Sequence, residues 1–354
     1  MESQSFSRFM QEWLYGNGVK ATEIFGITCP VGYYRKARVG KDLDFYTNVS
    51  VGEFFGYTIG FYLYHSISKL QGKIALIEIG SEKGDLIADI AEFFALFDKS
   101  LRVDFITLEP LESLQALQQQ TWQKRGLESQ LLNCADFTEL QALHYDYAFF
   151  VSNELLDAFP VELVMKDKMA FVSLENGNFT LIFKDMTPKV RDMAHAFSIE
   201  IGEIPLGAFN FAKDVASVAK HWRFLSFDYG SMDARNAFSL RLYHKHNTQN
   251  VFKDAKIGEL NKESLLSFGT TDLTYDVHFG LWQKAFESAC GKTLFLHRQN
   301  RALVDMGLDK MCEWYITHFG LQTYMQKSAK LRTLISPGAF GERFFGFCFG
   351  NFLD

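Results

Sequence analysis

Two stretches of this chain hold residues whose types and spacing could do chemistry. The first is Glu78-Ile-Gly80-Ser81-Glu82-Lys83-Gly84, followed after the next apolar run by a further acid, Glu109. A tight glycine turn between a buried strand and a helix N-terminus is where α/β sheets hold nucleotide-like ligands. An acid closing the next strand is placed to accept hydrogen bonds from both hydroxyls of a ribose. The second stretch is Asn153-Glu154-Leu-Leu-Asp157-Ala-Phe-Pro160. Read on a helical turn, Glu154 and Asp157 share one face, and two converging carboxylates suit a guanidinium. A plainer reading stands beside it, in which Asn153 caps a helix and Glu154 sits in its first turn. Asp136-Phe137 follows a third strand, where an acid can accept from an adenine amine or simply be an exposed loop residue. Asp228 closes another strand, in Asp228-Tyr229-Gly230.

The elements that must position these residues are readable as apolar runs. Ile74–Gly80, Val103–Glu109, Gln130–Cys134 and Asp146–Ser152 have the composition of parallel strands buried on both faces. Leu86, Ile87, Ile90, Phe93 and Phe94 recur at helical spacing, and Leu111–Lys124 reads as a second crossover helix. Phe224–Gly230 and Phe344–Phe349 add strands, the latter after the break Ser336-Pro-Gly338. Ahead of them, Ser5–Tyr15 and Phe54–Leu70 read as helices, with Gly32-Tyr-Tyr34 and Asp44–Asn48 in a broken segment between. Val161–Phe183 alternates around a hairpin turn at Glu175-Asn-Gly-Asn178. From Ala237 to about Lys330 the sheet signal fades: 265–273 and 277–290 read as loop and helix, and the polar run 245–250 as loop. The expectation is an α/β chain with a Rossmann-like sheet and helices on both faces. Residues 1–70 form an N-terminal extension that covers the ligand or packs as an appendage. Residues 71–236 form the core, 237–330 a mostly helical insertion lining the substrate cleft, and 331–354 a strand returning to the sheet.

Composition narrows the function classes. The 354 residues carry a net charge of −6 with no basic stripe, so nucleic acid and anionic membrane are poor partners. Five scattered cysteines without a C-x-x-C suggest neither a metal site nor a disulfide framework, and a reducing cytoplasm fits. The opening Met-Glu-Ser-Gln-Ser lacks the regions of a signal peptide. Phe54–Leu63 is too short to span a bilayer, so no membrane insertion is expected.

The glycine turn separates three readings. A nicotinamide site wants G-x-G-x-x-G, and only Gly80 and Gly84 are present. An acid two residues before the first glycine, with no third glycine, is more like a site for S-adenosylmethionine, which has no pyrophosphate to cradle. An ordinary turn without cofactor is the third.

With these stretches together, the chain resembles the MidA-like family of class I S-adenosylmethionine-dependent methyltransferases. Gly32-Tyr-Tyr34, Asp44-Phe-Tyr-Thr47 and Phe55-Gly56 are similar to its N-terminal signature. Glu78-Ile-Gly80 is similar to its cofactor turn, Leu108-Glu109-Pro110 to its ribose acid, and Ser152–Pro160 to its most distinctive run. Asp228-Tyr-Gly230, Leu240–His244, Thr271–Thr274 and Gly341-Glu-Arg343 extend the likeness to the C-terminus. The family's mitochondrial relative is a complex I assembly factor that methylates an arginine of a core subunit. The resemblance therefore implies a class I methyltransferase sheet, S-adenosylmethionine as cofactor, and a protein substrate with a basic side chain, such as a respiratory complex subunit. It implies cofactor contacts from Glu78, Gly80, Ser81, Gly84, Glu109, Asp136, Phe137 and Asn153. Glu154, Asp157 and Asp228 are the catalytic candidates, with Tyr229, His244 and Asp272 lining the cleft or serving the core.

One departure divides the readings. The family carries a further glycine between Gly80 and Gly84, where this chain has Glu82. Glycine there permits positive φ and close backbone approach. Either the turn has adapted and binds the cofactor, or the chain is a methyltransferase-like binding or assembly factor without chemistry.

Overall fold

The computed structural model describes residues 3–16, 22–24, 27–29, 32–35, 47–175, 178–244, 247–256, 258–261 and 264–353. By its internal contacts the chain divides into two units. One comprises Met1–Tyr46, Leu156–Phe209 and Gly230–Trp282; the other comprises Thr47–Leu155, Asn210–Tyr229 and Gln283–Asp354. The consecutive ranges expected from the sequence do not coincide with this division. Residues 47–70 belong with the central sheet, whereas the first 46 belong to the other unit.

The second unit is built on strands β1 (Ile74–Ile79), β2 (Asp104–Leu108), β3 (Leu131–Cys134), β4 (Tyr145–Asn153), β5 (Ala219–Ser231), β6 (Lys292–Arg298) and β7 (Phe344–Gly350). Their order is β3-β2-β1-β4-β5-β7-β6. The first five are mutually parallel, and β7 runs antiparallel between β5 and β6. All six residues of β1 are buried, the consequence of an apolar run covered on both faces. Parallel neighbours need crossovers, and helices α2 (Asp85–Phe97), α3 (Glu112–Lys124) and α4 (Phe137–Gln141) follow β1, β2 and β3. The order reverses between β1 and β4. At such a switch point the connections leave in opposite directions and open a crevice at the carboxyl ends of the strands.

Helix α1 (Phe54–Ile67) buries residues nearly all round its circumference because it lies in the core of this unit. It meets α2 through two glycines. A Cβ on Gly56 would stand 2.4 Å from the Cβ of Asp89, and one on Gly60 would stand 2.9 Å from Phe93 Cδ1.

In the first unit, the helix Phe6–Tyr15 starts at Ser5, whose side chain accepts from the Arg8 N–H. Its apolar face packs Phe6, Phe9 and Trp13 into a core with Phe268 and Val172. The strand Lys168–Glu175 pairs with Ser3–Ser5, Asn178–Asp185 and Glu162–Met165. The hairpin expected after Val161 is therefore present, with residues 176 and 177 of its turn outside the described residues.

The C-terminal region is helical, in Phe279–Ser288, α5 (Gln299–Asp305), α6 (Leu308–Phe319) and α7 (Leu321–Ile335). Ahead of it the expectation of loop and helix is corrected. Residues 241–278 include the strands Arg241–His244, Asn247–Asn250 and Asp272–Thr274, which form one small sheet. Asn247–Asn250 was expected as loop because it is wholly polar; it is an exposed edge strand whose pairing comes from its neighbour. Residues 245–246 and 44–46 lie outside the described residues. Among the described residues, no helix is long and apolar enough to cross a membrane.

Candidate functional site

The first site element is the turn after β1. Gly80, Glu82 and Gly84 all have left-handed backbone, at φ 72°, 46° and 77°. A Cβ on Gly80 would approach Leu155 Cδ1 to 3.1 Å, and the left-handed conformation favours glycine there. The Gly84 N–H donates to the Ser81 carbonyl at 2.6 Å, and the buried Ser81 hydroxyl donates to the Glu78 carbonyl at 3.3 Å. Gly84 precedes α2 and offers no capping side chain. Glu78 supplies the cap from the strand instead, its Oε2 accepting from the Ile87 N–H at 3.1 Å. Burial pushes its carboxyl well above the ordinary range, against the lowering effect of that N–H. Glu82 fits the turn by turning its side chain outward, more than half exposed and 3.9 Å from Lys83 Nζ.

Glu109 follows β2 directly. Its N–H donates to the Cys134 carbonyl, its own carbonyl accepts from Gln115 Nε2, and its Oε1 accepts from the Leu111 N–H at 3.0 Å. Among the described residues its Oε2 has no partner. Burial pushes the carboxyl up to about 7, with the Leu111 N–H opposing. Asp136 is exposed in the short loop after β3 and caps α4, with Oδ1 accepting from the N–H groups of Thr138 and Glu139 at 2.8 and 3.0 Å. The Phe137 ring lies 6.0 Å from that of Phe211 and is partly exposed.

The second stretch departs from both sequence readings. Asn153 is the last residue of β4, not a helix cap. Glu154 has φ 51° and donates its N–H to the Phe227 carbonyl at 2.9 Å. A left-handed residue there interrupts any helical repeat, so Glu154 and Asp157 share no helical face. Asp157 instead sits buried in the 3₁₀ turn Leu156–Ala158, which belongs to the first unit. Glu154 is held by a relay of amides. Gln299 Nε2 donates to Asn48 Oδ1 at 2.8 Å, Asn48 Nδ2 to Asn153 Oδ1 at 2.8 Å, and Asn153 Nδ2 to Glu154 Oε1 at 2.9 Å.

Asp228 is wholly buried in β5, opposite Phe345 of β7, and its Oδ1 accepts from the Tyr229 N–H at 2.9 Å. The Tyr229 ring packs on Phe344, with the Arg343 guanidinium 5.4 Å from its centre. In the first unit Tyr34 donates to Asp272 Oδ1 at 2.8 Å. Burial raises the Tyr34 hydroxyl pKa well above its usual value, and the charges of Asp272 and Asp157 add to that. The side chain of His244 lies outside the described residues.

Sequence reasoning brought Glu78, Gly80, Ser81, Gly84, Glu109, Asp136 and Asn153 to the carboxyl ends of β1, β2, β3 and β4. It missed Asn48, Gln299, Gln118, Thr107 and Asn133, polar residues inside apolar patterns whose partners lie far along the chain.

A parallel sheet that reverses at its first and fourth strands, with a glycine turn after one and a buried acid after its neighbour, defines a Rossmann-like nucleotide-site protein. Residues 58–297, more than half of the chain, match the family described as "Putative S-adenosyl-L-methionine-dependent methyltransferase", and the chain belongs to that family. It is similar to the mitochondrial protein arginine methyltransferase NDUFAF7 of Xenopus laevis, at 23% identity over 90% of this chain and 77% of that one. The Homo sapiens counterpart is 22% identical over 88% and 75%. A Burkholderia thailandensis protein crystallised with S-adenosyl-homocysteine shares the fold at TM-score 0.78 and 20% identity, covering 98% of this chain and 87% of that one. The residues present fit S-adenosylmethionine: a buried carboxylate has an oxygen to spare for hydroxyl donors, and Gly80 leaves exposed backbone without a side chain at the turn.

Proposed function

We propose that this chain methylates an arginine side chain of a protein, with S-adenosylmethionine as donor. The observation that carries the reading is the pair of acids on either side of the β1 turn, Glu109 after β2 and Glu154 after β4, each fixed by backbone bonds at a strand end. The relatives named above are protein arginine methyltransferases, which supports a guanidinium as acceptor. A respiratory complex subunit is the class of substrate to which the family resemblance points. With thiols free at Cys134, Cys290, Cys312 and Cys348, a reducing compartment such as the cytoplasm suits the chain.

Glu109 would hold the ribose hydroxyls, Gly80, Ser81 and Gly84 the aminoacyl end, and Asp136 and Phe137 the adenine end. Glu78 acts through the turn, by capping α2. When bound, the cofactor supplies an electrophilic methyl group on a positively charged sulfur. A guanidinium nitrogen forms the new bond to carbon as the carbon–sulfur pair returns to sulfur, and the nitrogen sheds one proton. Glu154 orients the guanidinium by charge-assisted hydrogen bonds and accepts that proton. Asn153, donating to Glu154 Oε1, keeps the carboxylate turned to one side. Asp228 is assigned to holding the Tyr229 N–H at its own position, and the pairing of Asp157 with Glu154 rested on a helical face that does not exist.

The adapted turn favours an enzyme over a cofactor-free binding factor, because Glu82 reaches the glycine conformation with its side chain directed outward. Glu154→Gln tests the reading. We expect unchanged S-adenosylhomocysteine affinity and thermal stability, and methyl transfer to arginine-containing protein reduced about a hundredfold or more, from the low end of a general-base contribution of about 10²–10⁴ upward. Unchanged turnover would remove Glu154 from the chemistry.

A further inference from the structure

The turn carrying Gly80, Glu82 and Gly84 is held from outside by a residue that no motif singles out. Gln118, in α3, is wholly buried. Its Nε2 donates to the Glu82 carbonyl at 3.2 Å. Its Cγ would lie 3.3 Å from a Cβ on Gly84, so the same side chain backs the end of the turn. On the other side of the amide, Oε1 accepts from Thr107 Oγ1 at 2.7 Å and from Asn133 Nδ2 at 3.0 Å. Asn133 Nδ2 also reaches Thr107 Oγ1 at 2.6 Å, and Gln119 Nε2 donates to Asn133 Oδ1 at 2.6 Å. Thr107 lies on β2 and Asn133 on β3, so both strands beyond β1 pin this amide. Two donors on Oε1 leave the amide one satisfied orientation, with Nε2 facing Glu82.

The network answers a conformational need. A residue with a Cβ atom is disfavoured in left-handed backbone, and Glu82 has φ 46°. Glycine would occupy that conformation without help. A hydrogen bond from a buried, fully engaged amide is strengthened by its low-dielectric surroundings, and it fixes the peptide that carries Glu82.

We infer that Gln118 is a positioning residue of the cofactor turn, which stands in for a glycine at position 82 by holding the Glu82 peptide in left-handed geometry. This rests on the reading that the turn binds the aminoacyl end of S-adenosylmethionine. It explains why an acid is tolerated in the turn, and it makes cofactor affinity depend on β2, β3 and α3.

The test is a double-mutant cycle on the full chain, titrated calorimetrically with S-adenosylhomocysteine. Gln118→Met keeps the side-chain length and removes the bonds. It should weaken binding about tenfold in the parent, the loss expected for one well-placed hydrogen bond. In the Glu82→Gly background the same change should cost no more than about threefold, since glycine needs no such support. Equal losses in both backgrounds would show that Gln118 serves general packing, and would overturn the inference. If Gln118→Met does not fold, Thr107→Val carries the test, because it removes one of the two donors that pin the Gln118 amide with little change of shape. A smaller loss in the Glu82→Gly background supports the inference, and equal losses again overturn it. A parent chain that fails to bind S-adenosylhomocysteine, with or without Glu82→Gly, overturns the cofactor reading itself, an outcome distinct from additive losses.

Discussion

Glu109 shows how one buried carboxylate can report on the cofactor site. It sits out of water with a single backbone N–H on Oε1, so its carboxyl titrates near 7 rather than in the usual glutamate range. The sign of the linkage follows. Below the unfolded value, near 4.5, the group is protonated in both states and the neutral side chain is buried at no electrostatic cost. As pH rises through about 7 the folded protein must ionise a buried group, and that stability is lost. Glu109→Gln removes the titration. The variant should therefore gain on the parent between pH 5 and pH 8, by roughly 1–3 kcal/mol in urea unfolding. A difference independent of pH would mean that Glu109 does not titrate in this range. Ligand affinity should move the opposite way. Hydroxyl donors favour the ionised form, so S-adenosylhomocysteine should bind more tightly from pH 6 to pH 8 in the parent, and less tightly overall in Glu109→Gln. The identity and approximate place of this acid were readable because it follows an apolar strand. The backbone of Glu154 was not. Nothing in Asn153-Glu154-Leu-Leu announces a left-handed residue, and the bond from its N–H to Phe227 depends on a strand some seventy residues away.

Strands and helices with long apolar patterns were found within a few residues of their places, since burial on both faces leaves a continuous signature. The short strands between 241 and 278 were not, because three or four residues cannot display a period and their pairing is set by neighbours. The α1–α2 contact lies between these cases. Gly56 stood out in the sequence only as part of a motif, yet its lack of a side chain has a physical reason: the Asp89 Cβ occupies the space where its own would be. Asp89 is itself committed, its Oδ1 accepting from Arg125 Nη2 at 2.6 Å, while burial holds its carboxyl up near 7 against that guanidinium. It cannot withdraw without leaving Arg125. We therefore expect Gly56→Ala to destabilise the fold by roughly 1–3 kcal/mol, the usual penalty of overpacking a close contact. Equilibrium denaturation would measure it. A loss under about 0.5 kcal/mol, the size of an ordinary surface substitution, would mean that the two helices separate easily and that the glycine serves another purpose.

Across the whole chain, the proposed cofactor contacts come from the second unit alone, in segments far apart in sequence: Glu78–Ile87, Glu109–Leu111, Asp136–Phe137 and Asn153–Glu154. They come together because parallel strands deliver their carboxyl ends to one edge, and the reversal of order between β1 and β4 opens that edge. Amide hydrogen exchange should expose this arrangement without any substrate. A ligand that binds only the folded protein stabilises it by RT ln(1 + [L]/Kd), about 2.7 kcal/mol at a hundredfold excess over Kd, and amides released by local opening slow most where the ligand sits. With S-adenosylhomocysteine near saturation, the Gly80–Gly84 turn and the first residues of α2 should slow most, because the turn is the proposed aminoacyl site and the start of α2 depends on the Glu78 cap. The Glu109–Leu111 segment should slow next, since the Leu111 N–H is already engaged by the carboxylate proposed to hold the ribose. The Asn247–Asn250 edge strand, exposed along its length and part of the other unit, should keep its free-state rate. Protection concentrated in the Glu154–Pro160 run with none at Gly80–Gly84 would mean that the ligand binds elsewhere. In that case neither Glu82 nor Gln118 would bear on cofactor affinity.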